Sequence, residues 1–170
     1  MRRIRQLVNE SEGGNLHKYT VRVEDNPDDH WSLEVDQQKR RLISHLCATP
    51  TRRFFLERWD KIMREVSAMD MALDAPIDLI FDYSEAAPVP PHLIILIFTK
   101  TLGAATSFPN LHTWRIIPGD PKRNGFFQQV LKAVPAAWMG TMRVSPKIFK
   151  SRKEADKFLD EFRANKPRSY

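Results

Sequence analysis

The chain has 170 residues, 42% of them hydrophobic, which is enough for one domain with a substantial core and too short to suggest two. Its 27 Lys+Arg against 21 Asp+Glu give a formal charge of +6, which favours solubility and attraction to anionic surfaces without naming one. A lone cysteine, Cys47, excludes an intramolecular disulfide and fits a reducing compartment, while the most apolar run, Leu93 to Phe98, falls far short of the roughly twenty residues a membrane-spanning helix needs.

Residues 1 to 16 are polar, contain Gly13-Gly14 and have no apolar period, so they predict a flexible N-terminal tail ahead of a single domain over 17–170. The basic opening Met1-Arg2-Arg3-Ile4-Arg5 resembles the start of a signal peptide. Gln6, Asn9, Glu10 and Glu12 then stand where an apolar stretch would be required, so the expected location is cytoplasmic. Tyr19, Val21 and Val23 alternate with polar neighbours, Asn26-Pro27-Asp28-Asp29 predicts a turn, and Trp31, Leu33 and Val35 alternate again. With a third strand from Arg41 to Ala48, an antiparallel meander opens the domain.

Thr49-Pro50 predicts a helix start. Phe55, Trp59, Ile62, Met63 and Val66 then fall on one helical face, and Arg52, Arg53, Glu57, Arg58, Lys61 and Arg64 are assigned to the outer face. Ile77 to Phe81 reads as a central strand covered on both sides, ending in Asp82-Tyr83-Ser84-Glu85. After Pro88, Pro90 and Pro91, the run from His92 to Ser107 is assigned to a helix on length and on its alanine-containing continuation. For Leu93 to Phe98 alone, periodicity does not separate helix from buried strand.

Thr113 to Ile117 predicts another strand, and Asp120-Pro121 opens a helix whose buried face is Phe126, Phe127, Val130, Leu131 and Val134. Met142 to Val144 with Ile148-Phe149 gives a last strand, interrupted at Pro146 and so placed at an edge or a bulge. Ser151-Arg152-Lys153-Glu154 is a capping box, followed by the inner face Ala155, Phe158, Leu159 and Phe162 of a closing helix. The expected fold is an α/β single-domain sandwich, with a mixed sheet, about four helices and right-handed crossovers between its parallel strands.

This order, with a central strand ending in Asp82-Tyr83-Ser84 before a helix and a closing Ile148-Phe149-Lys150-Ser151 before a helix that includes Glu154-Ala155, resembles the STAS-like family. That is the fold of bacterial anti-sigma-factor antagonists, and the similarity is to its divergent branch grouped with lipid-binding Sec14-type domains. The resemblance implies a non-enzymatic domain acting through protein-protein contact in bacterial signalling or regulation. It also implies an interaction loop at Asp82, Tyr83, Ser84 and Glu85, with Ser84 as phospho-acceptor. Glu85-Ala86-Ala87-Pro88 departs from the family's paired serine and glycine. Asp82 and Ser84 are also residue types that commonly do no more than satisfy turn amides.

The chain lacks the recurring signatures of catalysis. There is no G-x-S-x-G, no H-E-x-x-H and no phosphate-binding glycine motif, and His17, His30, His45, His92 and His112 are dispersed. No metal or cofactor is expected, and His45, among apolar residues, reads as a core or edge histidine. Gly119 to Gly125 offers a weak anion site that Asp120 opposes. Asp78 and Asp82 share a strand face but are too far apart to act on one bond, so separate salt bridges or loop hydrogen bonds are expected. The basic residues from Lys147 to Arg168 alternate with Glu154, Asp156, Asp160 and Glu161, which favours a solvated face over nucleic-acid binding. Two other classes stay open: a small apolar-ligand or lipid carrier using the helix after Pro91, and an enzyme with an unrecognised site.

Overall fold

Alternating apolar residues early in the chain and short all-apolar runs later on call for two kinds of sheet, and the chain forms both in one. In the computed structural model, the residues described are 4–11, 15–23, 26–47, 51–85, 90–116 and 144–165. The strands are β1 (Ile4–Ser11), β2 (Leu16–Val23), β3 (Asn26–Asp36), β4 (Arg41–Cys47), β5 (Ile77–Asp82), β6 (Leu111–Ile116) and β7 (Val144–Phe149). The helices are α1 (Arg52–Ala72), α2 (Pro91–Ser107) and α3 (Arg152–Asn165). The seven strands lie in sequence order across one sheet. β1 to β4 are antiparallel, and β4 to β7 are parallel.

Sequential parallel strands linked by right-handed crossovers place their connecting helices on the same face. α1 and α2 accordingly share one core with Leu33, Val35, Leu42, Leu79 and Phe81. α3 follows the last strand without a crossover and covers the opposite face, where Ile43, Ile80, Trp114 and Phe149 meet Ala155 and Leu159. Every residue of β5 is buried, as a strand covered on both faces requires. Each large apolar side chain so enclosed contributes about 1.5–3 kcal/mol relative to exposure.

The turn before β4 holds Arg40 at a φ of 51°. From there its guanidinium donates to the carbonyls of Met69 at 2.9 Å, Leu73 at 2.8 Å and Ala75 at 2.9 Å, satisfying acceptors at and just beyond the end of α1. At the start of α3, the Glu154 amide donates to Ser151 Oγ at 3.3 Å. The Glu154 carboxylate accepts from the Lys150 amide at 2.9 Å, so the capping box forms with its return bond one residue early.

Several expectations need correction. Ile4–Ser11 is not a loose tail but pairs with β2, because ladder bonds to an open edge need no apolar period. Asn26 to Asp29 belong to β3, whose register against β2 shifts between Arg22 and Val23, so that Pro27 falls in the unpaired stretch between His30 and Asn26. Arg58 is 2% exposed rather than on an outer face. Three helices are found among the described residues, and the helix expected after Asp120 lies outside them, as do Thr49-Pro50 and the loop from Gly119 to Gly125. The run from His92 to Ser107 is helical, and β7 is an edge strand with irregular pairing around Pro146.

Candidate functional site

Parallel strands direct their carboxyl ends to one edge of a sheet, and in open α/β folds that edge is where ligands and partners gather. Register fixes what stands there. Ser44, Phe81 and Arg115 form one row across β4, β5 and β6, and His45, Asp82 and Ile116 form the next. Because side chains alternate, the first row faces α1 and α2 and the second faces α3.

The predicted loop begins in this second row. Asp82, 7% exposed, accepts the Ser84 amide on Oδ1 at 2.9 Å, an Asx-type turn that ends β5. Tyr83 is buried with its ring 6.2 Å from that of Phe81 and nearly parallel to it, Ser84 is half-buried, and Glu85 is exposed. Glu85 Oε2 lies 3.8 Å from His45 Nε2, and the His45 ring stands 6.0 Å from that of His30. The four loop residues therefore stand at one edge, with Asp82 and Tyr83 buried, Ser84 half-buried and Glu85 exposed.

Beneath them lies an arrangement that the sequence pattern does not announce. Arg58, from α1, donates through Nε to Ser44 Oγ at 2.7 Å and through Nη2 to the Ser44 carbonyl at 3.3 Å. Its guanidinium carbon sits 5.7 Å from the centre of the Phe81 ring and 5.5 Å from that of Tyr83, favourable cation-π geometry. Trp31 Nε1 donates to the same Ser44 hydroxyl at 3.0 Å. Arg115 is 1% exposed, and among the described residues its Nε and Nη1 have no hydrogen-bond partner.

Burial lowers the pKa of both guanidiniums, against an opposing influence from Tyr83 on each and from Asp82 on Arg58. Arginine remains protonated at neutral pH despite this. Two signals in the chain mark these residues. Arg115 interrupts the otherwise uncharged Thr113 to Ile117, and Arg58 lies three residues after Phe55 and four before Ile62, on the flank of the apolar stripe.

Elsewhere charge is balanced locally. Asp78 accepts from Trp114 Nε1 at 2.8 Å and from Arg163 Nε at 2.9 Å, so Asp78 and Asp82 do serve separate contacts. A cleft of about 140 Å³ beside α3 is lined by Glu34, Asp36, Lys39, Arg41, Arg152 and Asp156. It is smaller than the usual ligand pocket, and Arg41–Asp156 at 2.9 Å and Arg152–Glu34 at 2.6 Å neutralise it. Among the described residues no cluster of three or more metal-ligating side chains occurs, and no helix is long and apolar enough to cross a membrane.

Fold and site together define an α/β domain with a mixed sheet whose chemistry-bearing side chains gather at the carboxyl edge of the parallel strands. No family model, curated protein or solved structure matches the chain.

Proposed function

We propose that the chain is a non-enzymatic, cytoplasmic STAS-like domain that acts by protein-protein contact in bacterial signalling or regulation, using the loop that begins at Asp82. The observation that carries this reading is the division of labour within that loop. Asp82 closes the turn on the Ser84 amide and Tyr83 packs on Phe81, so the base is held while Ser84 is half-buried and Glu85 exposed. A loop whose base is held loses less conformational entropy on binding there. The reading includes a fourth helix in the crossover between β6 and β7, completing an α/β sandwich.

Phosphorylation of Ser84 would add nearly two negative charges between Asp82 and Glu85, and repulsion would then reshape the contact surface. Affinity capture from the source cells with the wild-type chain and with the double variant Ser84→Arg/Glu85→Arg tests the proposal. A regulatory partner held by the wild type and lost by the variant, at unchanged melting temperature, supports it. Equal retention by both chains, or no partner on either, rejects it.

A further inference from the structure

We propose that Arg58 and Arg115 form a binding site for a small phosphate-bearing anion beneath the carboxyl edge of β4, β5 and β6. The inference is independent of the protein-contact reading and can hold whether or not a partner exists.

Burying a charge is costly. A guanidinium taken out of water needs hydrogen-bond acceptors on its N–H groups and a counter-charge, or it destabilises the fold by several kcal/mol. Arg41, enclosed on the opposite, α3 face, has its counter-charges, since it bonds Asp156 and Asp160, both at 2.9 Å, and only its Nε lacks a partner among the described residues. Arg58 bonds the Ser44 hydroxyl and carbonyl and is favoured by the neighbouring Tyr83 and by the Asp82 charge, whereas Arg115 has two buried N–H groups without an acceptor among the described residues.

Their placement is convergent. Arg58 lies over the rings of Phe81 and Tyr83, while Arg115 flanks Phe81 in the next strand, roughly 5 Å away at the spacing of paired strands. Tyr83 acts electrostatically on both guanidiniums, so both lie within reach of its phenol. Two cations from separate elements, a strand and a helix, match a tetrahedral dianion whose oxygens point in several directions. A planar carboxylate is instead satisfied by one bidentate arginine. Burial strengthens the interaction by excluding water.

Calorimetric titration of the full chain with inorganic phosphate, at ionic strength held constant with chloride, is the direct test, with malonate as the carboxylate dianion control. Saturable phosphate binding is expected, weakened about ten- to a hundredfold in Arg115→Met, where charge-assisted hydrogen bonds are removed. In phosphate-free buffer, Arg115→Met should melt at or above the wild-type temperature, because a buried cation with two N–H groups unmet among the described residues has been replaced by an apolar chain. Arg115→Lys provides a second variant that keeps the charge but not the fork of donors, and it should bind phosphate more weakly than wild type. No saturable phosphate binding by the wild type, undiminished binding in both variants, or malonate binding as tight as phosphate would overturn the assignment.

Discussion

Arg58 Nε donates to Ser44 Oγ at 2.7 Å, and that one hydroxyl, which also accepts from Trp31 Nε1 at 3.0 Å, joins α1 to β3 and β4 at the level of the candidate site. Both donors are buried, so the cost of removing the acceptor is the cost of leaving them unmet. Ser44→Ala is expected to destabilise the chain by about 2–4 kcal/mol, read from urea unfolding, although the change deletes a single oxygen. A loss within the scatter of surface substitutions would show that the hydroxyl does not organise this layer.

Asp78 anchors α3 in the same way on the other face. Its side chain is 2% exposed and pairs with Arg163, whose Nη2 also contacts Oδ1, while Trp114 supplies a third donor. Removing one partner of an enclosed ion pair typically costs about 3–5 kcal/mol. Asp78→Ala should lose stability on that scale, with hydrogen exchange rising first in α3, since Arg163 is the tie that the helix loses.

Arg40 combines a backbone at positive φ with the bonds that close α1. Arg40→Ala removes the bonds and keeps the left-handed backbone, whereas Arg40→Gly removes the bonds and relieves the backbone. The glycine variant should therefore be the more stable of the two by about 1 kcal/mol, a difference that thermal unfolding resolves. Equal stability would mean that the turn relaxes without cost.

Acid stability should depend on Asp160. Burial acts to raise its pKa, but hydrogen bonds from Lys39 and Arg41 and their positive charges outweigh this and leave it below the ordinary carboxylate value. A carboxylate depressed in the folded state contributes stability that is present above its unfolded pKa, near 4, and is lost as pH falls through the folded value. Asp160→Asn should thus be less stable than wild type at pH 7, with the gap closing as pH falls through the folded-state pKa, below the ordinary carboxylate range. The Asp160 side chain is 49% exposed, so the effect at pH 7 should stay near or below about 1 kcal/mol. Urea midpoints measured across pH 2–7 would reveal a constant gap if the side chain mattered for some other reason.

Much of the fold is legible in the chain because apolar periodicity and breaking residues act locally. The alternation in Trp31, Leu33 and Val35, the helical stripe Phe55, Trp59, Ile62 and Val66, and Pro91 at the first position of α2 each state a backbone conformation without reference to distant residues. Asp82 with Ser84 likewise announces a turn. The pairing of Ile4–Ser11 with β2 was hidden because an edge strand is held by backbone bonds that carry no side-chain signature.

Tertiary structure alone decided the fate of the arginines. Charge puts Arg58 on a helix's outer face and gives Arg115 no partner in the sequence. Only the register of Ser44, Phe81 and Arg115 across β4, β5 and β6, with Arg58 brought over it by α1, puts both guanidiniums in the interior. Local sequence governs which conformation each segment adopts; the contacts that make a buried charge tolerable form between segments far apart in the chain, and no spacing rule encodes them.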